Sequence, residues 1–350
     1  MKWNRLVSLL EARKPVPVFV IQKPVKLGKK SKSSLGVVLV GSKMVDDFVN
    51  LIKNEREDWF VISLSQSAEF GKSTKADLHM FSNVLSISEY LKSKAGRAGI
   101  PYLISSCGNF INTNIFFEED VSKEYDLLYI TKTLVTKRAE LFIETIKMNP
   151  ELKGLLITFD MPSNGNRNHG MDYSNKIKSL IKKSKVKNLE HQVVKSIEHE
   201  NSDGSFVVGE LDKSKIREIM NKTRIYLLTT QTEGINRTFA EALSCNVPVI
   251  IMSDLIGGTK EIFRSNMGEI SSPNIISISK AIQKILENTE GYKPRQSYLS
   301  DRGMVKANKD LLLAVEKVLK GNNKKIFWRD PRMYNGDLWT KDIYGIVNFD

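Results

Sequence analysis

Thr232-Glu233-Gly234-Ile235-Asn236-Arg237-Thr238-Phe239-Ala240-Glu241-Ala242-Leu243-Ser244-Cys245-Asn246-Val247-Pro248-Val249-Ile250 reads as a loop, a short helix and a strand in immediate succession. Upstream, Ile225 to Thr229 is a second apolar run of strand character. Strand, loop, helix and strand together are the repeating unit of a parallel sheet with helices on its faces. A helix starting near Asn236 leaves its first N–H groups without intrahelical partners, and its dipole adds partial positive charge there. A phosphate fits such a place on backbone chemistry alone, and Gly234 lets the backbone approach closely. Glu233 is itself an anion, so it suits a sugar hydroxyl or a developing positive charge. Glu241 lies eight positions further on, about two turns, and could accept hydrogen bonds from a ribose. Asn246 stands just after the helix, where a residue tolerating a left-handed conformation is wanted. Two glutamates at this spacing are common on amphipathic helices. The order of the surrounding elements is what gives the pair weight.

The rest of the chain repeats the rhythm. Leu35 to Gly41, Trp59 to Leu64 and Ile100 to Ser105 read as strands, with helical spacing over Val45 to Ile52 and Ser86 to Ala95. They predict a parallel sheet with helices on both faces. Asn109 to Glu119 has no clean period and predicts a loop at a domain boundary. A second series follows, with strands at Leu127 to Ile130, Gly154 to Phe159, Phe206 to Val208 and Val247 to Met252. Helices are expected over Lys137 to Lys147, Tyr173 to Lys183, Lys213 to Met220, Ser277 to Glu287 and Val305 to Leu319. The fold class expected is α/β, with two Rossmann-like parallel-sheet domains facing a cleft and ligands at the carboxyl ends of the strands. The last residues carry Trp328, Tyr334, Trp339 and Tyr344 and are expected to pack back on the body.

The 350 residues suffice for two domains, and the formal charge is +13. Residues 1–34 hold nine Lys/Arg against the single acid Glu11, with Pro15, Pro17 and Pro24, and read as a basic, partly extended arm. A second basic cluster comprises Lys176, Lys178, Lys182, Lys183, Lys185 and Lys187. Such patches attract nucleic acid, anionic lipid headgroups or acidic glycans, although a lysine-biased surface has the same composition. No apolar run is long enough to cross a membrane, and the first residues lack a signal-peptide pattern. Cys107 and Cys245 are far apart and fit no metal spacing, so a reduced, cytoplasmic setting is expected.

Thr232 to Ile250 resembles the signature of retaining GT-B glycosyltransferases of family 4. The likeness is an E-x7-E pair, opened here by Glu233-Gly234 and closed by Glu241-Ala242-Leu243. It continues in Gly257-Gly258-Thr259-Lys260-Glu261, which is similar to the family's glycine turn. Leu127 to Lys132, followed by Lys137-Arg138, resembles the strand and helix that carry its basic pair. Asn109 to Phe116 resembles its interdomain loop. The likeness covers about 105–290 and implies a nucleotide-diphosphate sugar as donor, retention of anomeric configuration, and no cofactor or catalytic metal. It implies that Glu233 contacts the transferred sugar and that Lys132 and Lys137 neutralise the leaving diphosphate, with Arg138 as a substitute. Donor-binding residues would be Gly234, Ile235, Asn236, Arg237, Glu241, Gly257, Gly258 and Glu261. His79 and Lys43 are further candidates in the N-terminal half, where Gly41-Ser42-Lys43 replaces the family's glycine pair.

On that reading 1–118 is an acceptor-side domain with the basic arm, 119–320 the donor domain and 321–350 the aromatic C-terminal segment. The acceptor expected is a lipid-linked or polysaccharide intermediate, with the protein cytoplasmic or peripheral on the inner membrane face. One alternative is a phage-type glycosyltransferase modifying a hydroxymethylated base in DNA, in a host cytoplasm. Another is a non-catalytic binding module on the same fold. The basic surface suits either polyanion, anionic lipid or DNA. A Rossmann dehydrogenase is disfavoured, since no Gly-x-Gly-x-x-Gly follows an early strand.

Overall fold

The structure is a computed structural model of the whole chain. It describes five early strands and residues 111–160, 168–194, 197–200, 206–207, 211–233, 236–303, 305–306, 309 and 313. The chain divides into two compact units: Met1–Asn112 with Arg302–Asp350, and Thr113–Asp301. Most of the basic arm and the aromatic 321–350 segment lie outside the described residues.

In the first unit, β1 (Val18–Gln22), β2 (Gly36–Gly41), β3 (Trp59–Leu64), β4 (Asp77–Phe81) and β5 (Tyr102–Ile104) form one sheet in chain order. The strands expected near 35–41, 59–64 and 100–105 are present. The sheet is nevertheless mixed: β2 and β3 are parallel, while β1–β2, β3–β4 and β4–β5 are antiparallel. Two segments cause the difference. Val18-Phe19-Val20-Ile21, read as part of the arm, is β-branched and aromatic, and it pairs as an edge strand between flanking prolines. Asp77 to Phe81 has weak strand propensity of its own, yet it enters between β3 and β5 and reverses the local direction.

The second unit is built on a six-stranded, wholly parallel sheet. Its strands are β6 (Tyr125–Lys132), β7 (Gly154–Phe159), β8 (Leu189–Val194), β11 (Thr223–Leu228), β12 (Val249–Met252) and β13 (Gly268–Ser271). A small antiparallel pair, β9 (Ile197–Glu200) and β10 (Phe206–Val207), lies between β8 and β11 in the chain. The helices are α1 (Ala139–Met148), α2 (Asn168–Ser184), α3 (Lys213–Asn221), α4 (Arg237–Ser244), α5 (Gly258–Ile262), α6 (Ile275–Glu287) and α7 (Pro294–Asp301). The α/β class expected from the sequence is the class observed.

Spatial order in this sheet is β13-β12-β11-β6-β7-β8. The chain starts in the middle at β6, builds outward to β8, then returns to the other side of β6 with β11 and continues to β13. The reversal falls between β6 and β11. In open parallel sheets that topological switch point leaves a crevice at the carboxyl ends of the two strands, where ligands bind. The central strands are buried on both faces: Leu127, Leu128, Tyr129, Ile225, Tyr226, Leu227, Val249, Ile250 and Ile251 are all inaccessible to solvent. Their apolar runs therefore lack the alternation of a half-exposed sheet. Buried Tyr129 and Tyr226 satisfy their hydroxyls by donating to Lys137 O (2.7 Å) and Ile130 O (3.2 Å).

Candidate functional site

The two loops flanking the switch point are tied together. After β6 the chain passes Thr133 and Leu134 into one 3-10 turn, Val135–Lys137, and reaches α1 through Arg138 in a left-handed conformation (φ 50°). After β11 it runs through Thr229 to Glu233. Gln231 N donates to Thr136 O at 2.8 Å, and the Thr229 hydroxyl donates to Lys137 O (2.8 Å) and Arg138 O (3.0 Å). The loop after β12 joins them: Ile256 N donates to Gln231 O (2.8 Å) and Glu233 N to Ile256 O (3.0 Å).

Arg138 clamps this junction. Its guanidinium makes a bidentate pair with Asp254 at 2.7 and 3.0 Å and also donates to Thr229 O (2.6 Å) and Thr230 O (3.1 Å). Planar, forked guanidinium donors suit carboxylates in this manner. The arginine's hydrogen bonds hold the Asp254 carboxyl below its ordinary range. Four of the five N–H donors of Arg138, expected as a substitute diphosphate ligand, are therefore taken by protein acceptors. Its neighbours in sequence could not reveal this, since Asp254 is 116 residues away.

The result is that Lys137 and Glu233 meet. Lys137 Nζ pairs with Glu233 Oε2, both side chains being only 15% and 22% exposed. Asn236 Nδ2 donates to the same carboxylate oxygen at 3.2 Å. Asn236 is also the N-cap of α4, its Oδ1 accepting from Phe239 N (2.7 Å) and the Thr238 hydroxyl (2.8 Å). The cap fixes which way the amide points and so aims Nδ2 at Glu233. The helix thus starts where the sequence reading places it. The Asn236 N–H, expected in the phosphate cradle, instead donates to the buried Thr259 hydroxyl at 2.8 Å.

Thr259 comes from the glycine turn. Gly257 caps α5 at φ 130°, a conformation that disfavours any side chain. Gly258 opens the helix, and the turn lies against the start of α4. Glu261 is in α5 by its backbone. Lys132 is exposed at the carboxyl end of β6, in register with Phe159.

Glu241 points into the interior from α4 and is 2% exposed. Its Oε1 accepts from Arg237 Nε at 3.1 Å, while Oε2 is buried with no hydrogen-bond partner. Burial pushes its carboxyl above the usual range, against the opposing pull of Arg237. A buried carboxylate oxygen without a donor is costly. Asn246 adopts the left-handed conformation expected after the helix (φ 59°).

The structure therefore brings Lys137, Glu233, Asn236, Arg138 and the glycine turn together, with Arg237 and Glu241 along the same helix. Gly234, Ile235 and Lys43 lie outside the described residues, and His79 is placed only as a backbone position in β4. Sequence reasoning missed Asp254, Thr259 and the side-chain task of Asn236. The last had a local signal, an asparagine three residues before the first buried residue of a helix.

The Rossmann-type parallel sheet carries its lysine–glutamate pair at the switch point, the place where open α/β sheets bind ligands. The family model described as glycosyl transferases group 1 matches residues 111–302, more than half of the chain, and the protein belongs to that family of GT-B glycosyltransferases. No curated protein sequence matches it. Among solved structures, it is similar to sucrose-phosphate synthase from Thermosynechococcus elongatus (13% identity, TM-score 0.48, 61% of this chain and 52% of that one). It is also similar to HepE from Anabaena with UDP and glucose (14%, 0.48, 80% and 66%). A third similar structure is the C-terminal domain of LpcC from Francisella tularensis (15%, 0.41, 54% and 97%). The match spans about half the length of the sucrose-phosphate synthase. Among the described residues, no helix is long and apolar enough to cross a membrane.

Proposed function

We propose that this chain is a retaining glycosyltransferase that moves a sugar from a nucleotide-diphosphate sugar to a hydroxyl of a lipid-linked or polysaccharide intermediate, in the cytoplasm or at the inner membrane face. The observation that carries the reading is the meeting of Lys137 and Glu233 at the carboxyl ends of β6 and β11. A cation there suits the negative charge that develops on a departing diphosphate, and such preorganised charge is a major source of rate. Lys132, at the end of the same strand, serves as the second cation. Glu233, held by Asn236, contacts the transferred sugar. Glu241 offers its unpartnered Oε2 to a ribose hydroxyl. Arg237 steadies Glu241, and the phosphate ligands of this reading are the N–H groups of Gly234, Ile235 and Arg237. Arg138 serves as the clamp that fixes the loops.

Because lysines supply the positive charge, the reaction needs no catalytic metal, and transfer should continue in EDTA. A thermal-shift screen with UDP-, GDP- and ADP-sugars tests the donor. Ligand at a hundred times its Kd adds about 2.7 kcal/mol to folding stability and so raises the melting temperature. Glu233→Ala and Lys137→Ala should each abolish transfer from the donor so identified while the fold persists. Wild-type transfer in both variants overturns the reading, and NMR of the product's anomeric proton tests retention.

A further inference from the structure

The second basic cluster has no part in the site just described. Helix α2 runs back from the carboxyl end of β7, so its last residues and the turn into β8 lie beside the amino ends of the strands. Leu189, the first residue of β8, is in register with Gly154, the first residue of β7. With a rise of about 3.3 Å per residue, the cluster is separated from the switch-point loops by roughly 20 Å of strand.

Lys182, Lys183, Lys185 and Lys187 are all exposed. Among the described residues none of the four has an ion-pair or hydrogen-bond partner, whereas Lys176 and Lys178 pair with Glu140 and Asp160. Lys185 occupies a left-handed position (φ 50°) after the helix, where glycine sits without penalty and lysine does not. The turn is rigidly held. Asn188 Nδ2 donates to Ile146 O (3.3 Å), Asn149 O (3.2 Å) and Leu152 O (2.6 Å), and Asn188 O accepts from Gly154 N. That clasp sets the lysines beside the carboxyl end of α1, where Met148 is 61% exposed, and beside exposed Lys147 and Lys153. The acids nearby include Glu144, paired with Lys147, Glu190, engaged by Tyr125 and Gln192, Asp126, which accepts from Lys153 N at 2.8 Å and pairs with Arg224, and Glu151.

We infer that this end of the second unit is a docking face for an anionic membrane surface, independent of the sugar-transfer reading. A cluster of lysines around an exposed, flexible apolar side chain suits lipid headgroups, whose negative potential attracts each lysine while the thioether enters the interface. The four cations without partners are all lysines, whereas Arg224 at the same end of the sheet is engaged by Asp126 and the Tyr125 ring is covered by Lys153. Arginine forks and open aromatic platforms favour nucleic acid, and with both engaged here DNA is the poorer fit. Docked in this way, the switch-point loops stay on the aqueous side, about a strand length from the headgroups.

The test is sedimentation of the full-length protein, without donor, with vesicles of phosphatidylcholine alone or mixed with phosphatidylglycerol. The wild type should bind the mixed vesicles in a salt-sensitive manner and leave the neutral ones. Each lysine replaced in Lys182→Gln, Lys183→Gln, Lys185→Gln and Lys187→Gln should weaken binding about fivefold. Met148→Gln should weaken it with the salt dependence unchanged. Lys185→Gly guards against a folding artefact, since it should melt no lower than wild type yet still lose its share of binding. Unchanged vesicle binding in the quadruple variant overturns the inference. So does loss of duplex-DNA binding with vesicle binding intact, which would make the face a nucleic-acid surface.

Discussion

Lys137 and Glu233, 96 residues apart in the chain, form an ion pair across the two loops that leave neighbouring strands β6 and β11. The proposed reaction assigns both to the donor, yet here each occupies the other. A diphosphate entering the site must take the Lys137 ammonium from the carboxylate. Glu233→Gln should therefore tighten binding of a free nucleoside diphosphate, because the lysine no longer has a competing anion. The same variant should lose sugar transfer by about a hundredfold or more. Calorimetric titration of the nucleotide checks the first effect and initial rates the second. Weaker nucleotide binding by the glutamine variant would contradict the competition.

The Arg138–Asp254 clamp makes a prediction about pH. The Asp254 carboxyl is held below its ordinary value of 3.8, chiefly by hydrogen bonds from Arg138. A depressed folded-state value means that the pair stabilises the fold above the unfolded value and ceases to do so as pH falls through the folded one. Asp254→Asn should melt lower than wild type near neutrality, and the gap should close below about pH 4. Asp254 is 37% exposed, so solvent screening keeps the neutral-pH difference to about 1 kcal/mol. Melting curves of both proteins across that range provide the measurement.

Glu241 has the opposite sign. Burial raises its carboxyl above the unfolded value, so ionised Glu241 opposes folding, and relief comes as pH falls. Glu241→Gln should raise the melting temperature at neutral pH, with the advantage fading as wild-type Glu241 becomes protonated. The same change should weaken nucleotide binding roughly tenfold, the worth of one hydrogen bond to a charged group. Stability gained together with binding lost is the expected signature. A variant that binds nucleotide as tightly as wild type would remove Glu241 from the ribose role.

The sequence signals were strongest where burial is complete. The runs of β6, β7, β11 and β12 have one physical cause, a sheet covered on both faces, and all four strands are readable. Leu-Glu-His-Gln-Val-Val of β8 and Gly-Glu-Ile-Ser of β13 are edge strands, half exposed, and carry no such run. Strand β4 is invisible for another reason, since Asp-Leu-His-Met-Phe owes its state to pairing with β3 and β5. At the site, Glu233, Lys137 and the cap at Asn236 are marked by local spacing. The Arg138–Asp254 and Asn236–Thr259 contacts join loops brought together only by the order of parallel strands, and no local pattern encodes them.

Asn236 separates helix capping from the positioning of Glu233. Its Oδ1 caps α4 while its Nδ2 holds the carboxylate at 3.2 Å, and only an amide does both. Asn236→Asp should keep the cap, since aspartate and asparagine cap about equally well, and so should retain wild-type stability. It places a second anion against Glu233, however, in place of the donor that holds it, and competes for Lys137. Transfer should fall in kcat with donor KM less affected, although the helix is still capped. Asn236→Ala removes both contacts and should cost about 1 kcal/mol of stability as well as lowering kcat. Initial rates and melting curves of the two variants make the measurement, and wild-type kcat in Asn236→Asp would mean that Asn236 serves the helix alone.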